Sequence, residues 1–262
     1  MMSDHGLEER YLAACAIARE AGALMRGLFE QREMGVFELK GHQDYLTEAD
    51  GEIERLIVKR LGEAFPGDTV FGEEGGGRIS SRVWVIDPID GTANFARGIP
   101  HFCVSIAFVE GGRTGVGAIC NPMLNELYAA RRGGGATLNA APLKVSGATD
   151  MRRSTIELGW STRRPLTEYV AMVGRVTALG AGFRRGGSGA LGIAYVAAGR
   201  IDGYCELHIN AWDALAALLM VEEAGGRIND FLGKNGLVDG NVVIASTPAL
   251  YEELATASGT AR

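Results

Sequence analysis

The sequence predicts an α+β fold, on three observations. Apolar residues between Leu7 and Gln31 (Leu7, Tyr11, Ala14, Ala18, Ala21, Met25, Leu28) recur every three or four positions, the period of one helix face. The apolar runs Cys103 to Val109 and Thr114 to Ile119 are joined by Glu110-Gly111-Gly112-Arg113, which reads as a hairpin turn. The second half alternates helical and strand patterns. Hairpins followed by helices argue against a doubly wound parallel sheet throughout. At 262 residues, 47% of them hydrophobic, the chain can bury a substantial core.

The elements follow in order. After Leu7 to Gln31, a second helix is expected from Glu48 to Ala64, with Ile53, Leu56, Ile57, Leu61 and Ala64 inward and Thr47 as N-cap. Phe65-Pro66-Gly67-Asp68 ends it. Val83 to Ile86 is a buried strand that Pro88 should stop. The hairpin follows, then an antiparallel strand from Glu126 to Ala130. In the second half, helices are expected over Thr167 to Leu179, Ser188 to Ala198 (closed by Gly199) and Trp212 to Ala224 (ending at Gly225-Gly226). Strands are expected over Ile201 to Leu207 and Asn241 to Ala245, and Pro248 opens a last helix. The best boundary between halves lies near Lys144 to Arg153. It divides the chain into 1–145 and 146–262, two parts of one compact unit.

Composition narrows the function. Net charge is −6 and no block of lysines and arginines appears, Arg131-Arg132, Arg152-Arg153, Arg163-Arg164 and Arg184-Arg185 being isolated pairs, so nucleic acid is not the expected partner. No apolar run is long enough to span a bilayer, and the N-terminus lacks a basic segment followed by an apolar one. Cys15, Cys103, Cys120 and Cys205 form no C-x-x-C pair and read as buried free thiols. A cytoplasmic protein with no membrane partner is the expectation.

Four acids carry the chemistry. Asp87 and Asp90 follow an apolar run in Trp84-Val85-Ile86-Asp87-Pro88-Ile89-Asp90-Gly91-Thr92; Glu73 stands in Gly72-Glu73-Glu74 and Asp213 in Ala211-Trp212-Asp213. Hard divalent cations want oxygen ligands, and two carboxylates three residues apart repel unless a cation lies between them. Gly91 permits close backbone approach, and Thr92 stands where a helix would begin, a place whose free N–H groups attract phosphate. Each acid has an ordinary alternative. Asp-Pro and Asp-Gly form turns, and Gly-Glu-Glu is a common solvated loop. Asp213 suits a helix start, and Thr47-Glu48-Ala49-Asp50 matches a capping box that Asp50 would complete.

Other motifs are weaker. Gly187-Ser188-Gly189-Ala190-Leu191-Gly192 fits G-x-G-x-x-G with Glu206 near the acidic position, but no apolar strand precedes it. Ser188 approaches a nucleophile elbow whose closing glycine is Ala190 instead, and none of the four histidines stands in a recognisable setting for it. No G-x-x-x-x-G-K-(S/T) occurs.

Taken together, four segments resemble the inositol monophosphatase family in its own order: Asp44 to Asp50, Gly72-Glu73-Glu74, Trp84 to Phe95, and Trp212-Asp213 through Gly226. The third matches the pattern W-x-x-D-P-(I/L)-D-G-T-x-N-F, including Asn94 and Phe95. The resemblance spans nearly the whole chain. It implies a layered αβαβα sandwich of the inositol monophosphatase and fructose-1,6-bisphosphatase type, usually a homodimer. It also implies a lithium-sensitive phosphomonoesterase with two or three Mg²⁺ ions per active site. Carried over, Glu73, Asp87, the Ile89 carbonyl, Asp90 and Asp213 would hold metal, and Asp50, Glu73 and Thr92 would activate water. Gly91 and Thr92 would donate backbone N–H groups to phosphate. Asp90, Ser188, Gly189, Glu206 and Asp213 would face the rest of a small phosphorylated polyol. Inositol monophosphate is the first expected substrate. Histidinol phosphate, fructose 1,6-bisphosphate and a nucleotide 3′-phosphate are alternatives, and a non-catalytic binding protein is a third reading. Two positions depart from bacterial members: Gly192, often an acid, and Asn210, frequently a lysine.

Overall fold

The computed structural model describes residues 4–31, 38–41, 44–46 and 48–260. Helix α1 (Asp4–Gln31) is followed by a small antiparallel pair, β1 (Glu38–Gly41) and β2 (Asp44–Leu46), and then by α2 (Glu48–Ala64). Thr47, expected as the N-cap of α2, lies outside the described residues.

The next segments build an eight-stranded sheet. They are β3 (Thr69–Gly72), β4 (Gly76–Gly77), β5 (Arg82–Asp90), β6 (Cys103–Glu110), β7 (Arg113–Asn121), β8 (Glu126–Arg131), β9 (Gly135–Leu138) and β10 (Ala141–Pro142), with helix α3 (Thr92–Arg97) after β5. The order is β10-β9-β8-β7-β6-β5-β3-β4. Pairing is antiparallel except between β3 and β5. The β6–β7 turn is the expected hairpin, with Gly111 (φ 57°) and Gly112 (φ 76°) both left-handed, as a two-residue turn matched to strand twist requires.

The second half runs β11 (Thr155–Leu158), α4 (Leu166–Ala178), β12 (Gly182–Arg184), α5 (Gly189–Ala197), β13 (Gly203–Ile209), α6 (Ala211–Glu223), β14 (Arg227–Ile228), α7 (Gly236–Asp239), β15 (Asn241–Ser246) and α8 (Tyr251–Ser258). Its strands form a five-stranded sheet ordered β12-β11-β13-β15-β14.

Three apolar clusters reveal the layering. Side chains alternate across a strand, so Trp84 and Ile86 of β5 pack with Ala18, Met25 and Ile53 of α1 and α2. Val83 and Val85 face the other way, into α5 and α6. The same α5–α6 layer meets Tyr204, Val243 and Ala245 of the second sheet. The far side of that sheet, through Ile156, Leu158 and Ile244, packs on Met172 and Val176 of α4 and Leu254 of α8. The result is an αβαβα stack. Helices α5 and α6 have no solvent face to speak of, which explains why they are almost wholly apolar. Close packing is visible at Gly117 of β7, where a Cβ would lie 2.6 Å from the Ala216 carbonyl oxygen of α6.

The structure corrects several expectations. Strand β5 does not stop at Ile86 but continues through Pro88 to Asp90. Asp87 pairs with Ser105 and Asp90 with Cys103, so one extra residue is accommodated in a bulge, where a proline without an N–H is tolerated. The last helix begins at Tyr251, not at Pro248, and β13 begins at Gly203, not at Ile201. Strands β3, β9, β11 and β12 had no strong periodicity because each has only three or four residues. All four cysteines are free and buried, as expected.

Candidate metal centre and adjoining cavity

The bulge at the end of β5 organises the centre. Asp87 is buried, and its Oδ1 accepts the Ile89 N–H at 2.9 Å. The chain then turns at Gly91 (φ 99°), whose absent Cβ would meet the His101 carbonyl oxygen at 3.0 Å and the Phe102 Cβ at 3.2 Å. Helix α3 starts at Thr92 as expected, with Gly91 as its N-cap. The Thr92 hydroxyl lies 2.8 Å from the Ile89 carbonyl oxygen and 3.2 Å from Oδ1 of Asp50, a fully buried residue of α2. Asn94 Nδ2 donates to the His101 carbonyl at 2.8 Å and to the Gly186 carbonyl at 3.0 Å, tying α3 to the second half of the chain.

Two acids arrive from elsewhere. Glu73 follows β3, and its N–H continues the β3–β5 pairing to the Ile86 carbonyl at 3.3 Å. Asp213 is the third residue of α6 and completes a capping box by accepting the Asn210 N–H at 3.3 Å. Helix α6 is fixed to the first sheet by Ser105 Oγ, which donates to the Trp212 carbonyl at 2.9 Å. Carboxylate oxygens of Glu73, Asp87 and Asp213 thereby lie within 4.8 Å of one another. Burial, then the charges of Glu73, Asp213 and Asp90, hold the Asp87 carboxyl well above its usual range. Burial, followed by Asp90, pushes Asp213 up to about 7. Among the described residues, the buried Asp87 Oδ2 has no hydrogen-bond partner. A set of carboxylates that disfavour their own ionisation, one oxygen of them orphaned, fits a hard divalent cation.

Asp90 stands apart from these three. Its carboxylate accepts the Ser188 hydroxyl, the Gly189 N–H at 3.1 Å and the Ala190 N–H at 2.8 Å, all at the start of α5. Burial raises its pKa, and those bonds oppose the rise. Ser188 is also the N-cap of α5, accepting the Leu191 N–H at 3.3 Å. The G-x-G-x-x-G match therefore lies at a helix start that faces Asp90.

Beside the acids is a cavity of about 160 Å³, lined by Asp90, Glu157, Trp160, Arg185, Ser188 and Glu206 among others. It adjoins an outer cavity of about 550 Å³ reaching Glu73, Arg163 and Asn210, with Asp213 on the wall of both. Glu206 is buried, accepts the Tyr204 hydroxyl at 2.5 Å, and is pushed up to about 8 chiefly by burial. The structure thus brings Ser188, Gly189 and Glu206 to one wall.

Sequence reasoning missed Glu157 and Glu54. Glu157 accepts the Gly186 N–H at 2.8 Å and pairs with Arg184 Nε at 3.3 Å; burial raises its pKa and Arg184 opposes the rise. The available signal was an acid inside the short apolar run of β11. The departure at Gly192 has a local cause: a Cβ there would lie 2.7 Å from the Tyr204 ring and 2.9 Å from the Glu157 carboxyl carbon. Glu54 lies on the buried face of α2, one turn after Asp50.

Comparison with known proteins agrees with this fold. The sequence matches the inositol monophosphatase family over residues 6–261. It is 40% identical to the Nus factor SuhB of Escherichia coli over 247 residues, 92% of each chain. Among solved structures, the extragenic suppressor protein suhB of Bartonella henselae superposes with a TM-score of 0.88 at 33% identity, covering 95% of this chain and 98% of that one. The inositol monophosphatase of Anabaena (Nostoc) sp. gives a TM-score of 0.85 at 31% identity, covering 98% of both. On a match that runs nearly end to end, with the sandwich and the gathered acids to accompany it, this chain belongs to the inositol monophosphatase family.

Proposed function

We propose that the chain is a Mg²⁺-dependent phosphomonoesterase acting on a small phosphorylated polyol, with inositol monophosphate as its first candidate substrate. The observation that carries this reading is the convergence of Glu73, Asp87 and Asp213 within 4.8 Å, next to the Asp50–Thr92 pair. The family match and the name of the Anabaena relative support it.

In this proposal Glu73, Asp87 and Asp213 hold the ions, joined by the Ile89 carbonyl and by Asp90 once its carboxylate leaves α5. Bound there, Mg²⁺ supplies Lewis acidity and reverses the sign of a pocket that would otherwise repel a phosphate dianion. Thr92 and Asp50 orient a water molecule and take its proton toward the Asp50 carboxylate. The first N–H groups of the turn at Gly91 and Thr92 bind phosphate oxygens. Ser188, Gly189 and Glu206 meet the polyol, and the carboxyl group of Glu206 exchanges hydrogen bonds with its hydroxyl groups. Homodimeric assembly, a cytoplasmic location and a division of labour between residues 1–145 and 146–262 belong to the same proposal. Among the described residues no helix is long and apolar enough to cross a membrane.

The test is phosphate release from a panel containing inositol 1-phosphate, histidinol phosphate, fructose 1,6-bisphosphate and a nucleotide 3′-phosphate. Release is expected with Mg²⁺ and should cease with a chelator, with inositol 1-phosphate turned over fastest. No release from any monoester at any Mg²⁺ concentration sinks the proposal. A second reading comes from the Escherichia coli relative, named a Nus factor: this chain would then serve as a Nus factor, alone or beside catalysis. Asp87→Asn separates the two, since only the phosphatase role needs that carboxylate charge.

A further inference from the structure

Glu54 is a buried carboxylate that the proposed chemistry does not use. It lies on α2, 8% exposed, and both of its oxygens are committed to the backbone just beyond Glu73. Oε2 accepts the Glu74 N–H at 3.0 Å, and Oε1 accepts the Gly75 N–H at 2.8 Å. Among the described residues it makes no ion pair, so these charge-assisted bonds are what compensate its burial. The local sequence leaves room for it. A Cβ at Gly72 would lie 3.0 Å from Oε1, and one at Gly75 would lie 2.6 Å from the same atom. Glycines therefore flank Glu73-Glu74 where the carboxylate must approach.

We infer that Glu54 is a positioning residue for the Glu73 arm of the metal centre, an inference that rests on the proposed role of Glu73. On its N-terminal side Glu73 is held by its own N–H to the Ile86 carbonyl. On its C-terminal side the two amides bound by Glu54 are the next ones in the chain. That second hold is needed because Glu73 is pressed against acids of like charge: carboxylate oxygens of Glu73, Asp87 and Asp213 lie within 4.8 Å of one another. Without Glu54 the turn from Glu74 to Gly77 is free to relax outward and carry Glu73 away from Asp87 and Asp213. Asp50 stands four residues earlier on the same helix, so α2 fixes both the residue that meets Thr92 and the loop that carries Glu73. Groups behind a ligand typically govern metal affinity by about 10- to 100-fold.

The experiment is a calorimetric titration with Mg²⁺ alone on the wild-type protein, Glu54→Gln, Glu54→Ala, Gly75→Ala and the Glu54→Ala/Gly75→Ala double variant, with melting temperatures recorded for each. Glu54→Gln replaces one acceptor by an amide donor facing a donor, and is expected to weaken Mg²⁺ binding about tenfold. Its turnover at saturating Mg²⁺ should stay within about threefold of wild type, a split that general loss of structure does not produce. Gly75 is exposed and, among the described residues, the only atoms its new Cβ would meet are those of Glu54. Gly75→Ala should therefore weaken Mg²⁺ binding alone yet add nothing to Glu54→Ala. Unchanged Mg²⁺ affinity in folded Glu54→Gln or Gly75→Ala, beside normal wild-type binding, overturns the inference and leaves the metal centre standing. A wild-type protein that takes up no Mg²⁺ overturns the metal centre first, and this inference with it.

Discussion

Thr92 and Asp50, 42 positions apart, meet with the threonine hydroxyl 3.2 Å from the carboxylate oxygen. The hydroxyl also reaches the Ile89 carbonyl, so it is held between the proposed metal-bearing turn and helix α2. Thr92→Val keeps the shape and removes the hydroxyl. Turnover is expected to fall by at least about 10²-fold, the scale of a lost proton-transfer partner, while the melting temperature changes little. Steady-state phosphate release with a parallel thermal melt checks this. Turnover within about twofold of wild type removes Thr92 from the catalytic path.

Asp90 presents a different case, since its carboxylate accepts three donors at the start of α5. Asp90→Asn turns one acceptor into a donor that faces donors. Two losses are expected together: turnover below about 1% of wild type, and stability lower by about 1–3 kcal/mol. Denaturant unfolding alongside the phosphate assay measures both.

Glu206 sets a pH dependence. Its folded pKa is pushed from an ordinary carboxyl value to about 8, chiefly by burial. The folded state therefore holds a proton that the unfolded state has released, and the resulting stability is lost as pH rises between about 4.5 and 8. The melting temperature of the metal-free protein should decline across that interval. Glu206→Gln, which cannot ionise, should flatten the decline by several degrees for a chain of this size. An identical pH profile in both proteins contradicts this account of Glu206.

Two glycines should respond in opposite directions. Gly62 is helical within α2 with nothing among the described residues within 4 Å of a new Cβ, so Gly62→Ala should stabilise by about 0.5–1 kcal/mol. At Gly117 the new Cβ would meet backbone of α6 at 2.6 Å, so Gly117→Ala should destabilise by about 1–3 kcal/mol. Chemical denaturation of the two single variants decides both signs.

Much of this was legible in the sequence, for physical reasons. Helix α2 was located to its bounds because a long amphipathic period and a Phe-Pro-Gly stop leave little ambiguity. The β6–β7 hairpin was legible in its glycine pair. Pro88 misled, because a bulge inside a sheet leaves no trace in a one-dimensional pattern. The candidate site residues carried signature motifs, yet the sequence could not say that Asp90 turns toward α5 while Glu73, Asp87 and Asp213 gather. Nor did it show Glu54 and Glu157, whose partners are backbone N–H groups 20 to 29 positions away, contacts that no local spacing encodes.

The most direct test of the central claim is anomalous diffraction from crystals grown with Mn²⁺ in place of Mg²⁺. A peak is expected at bonding distance, about 2.2 Å, from carboxylate oxygens of Glu73, Asp87 and Asp213 together. An anomalous map with no peak among those three side chains at saturating Mn²⁺ would contradict the account.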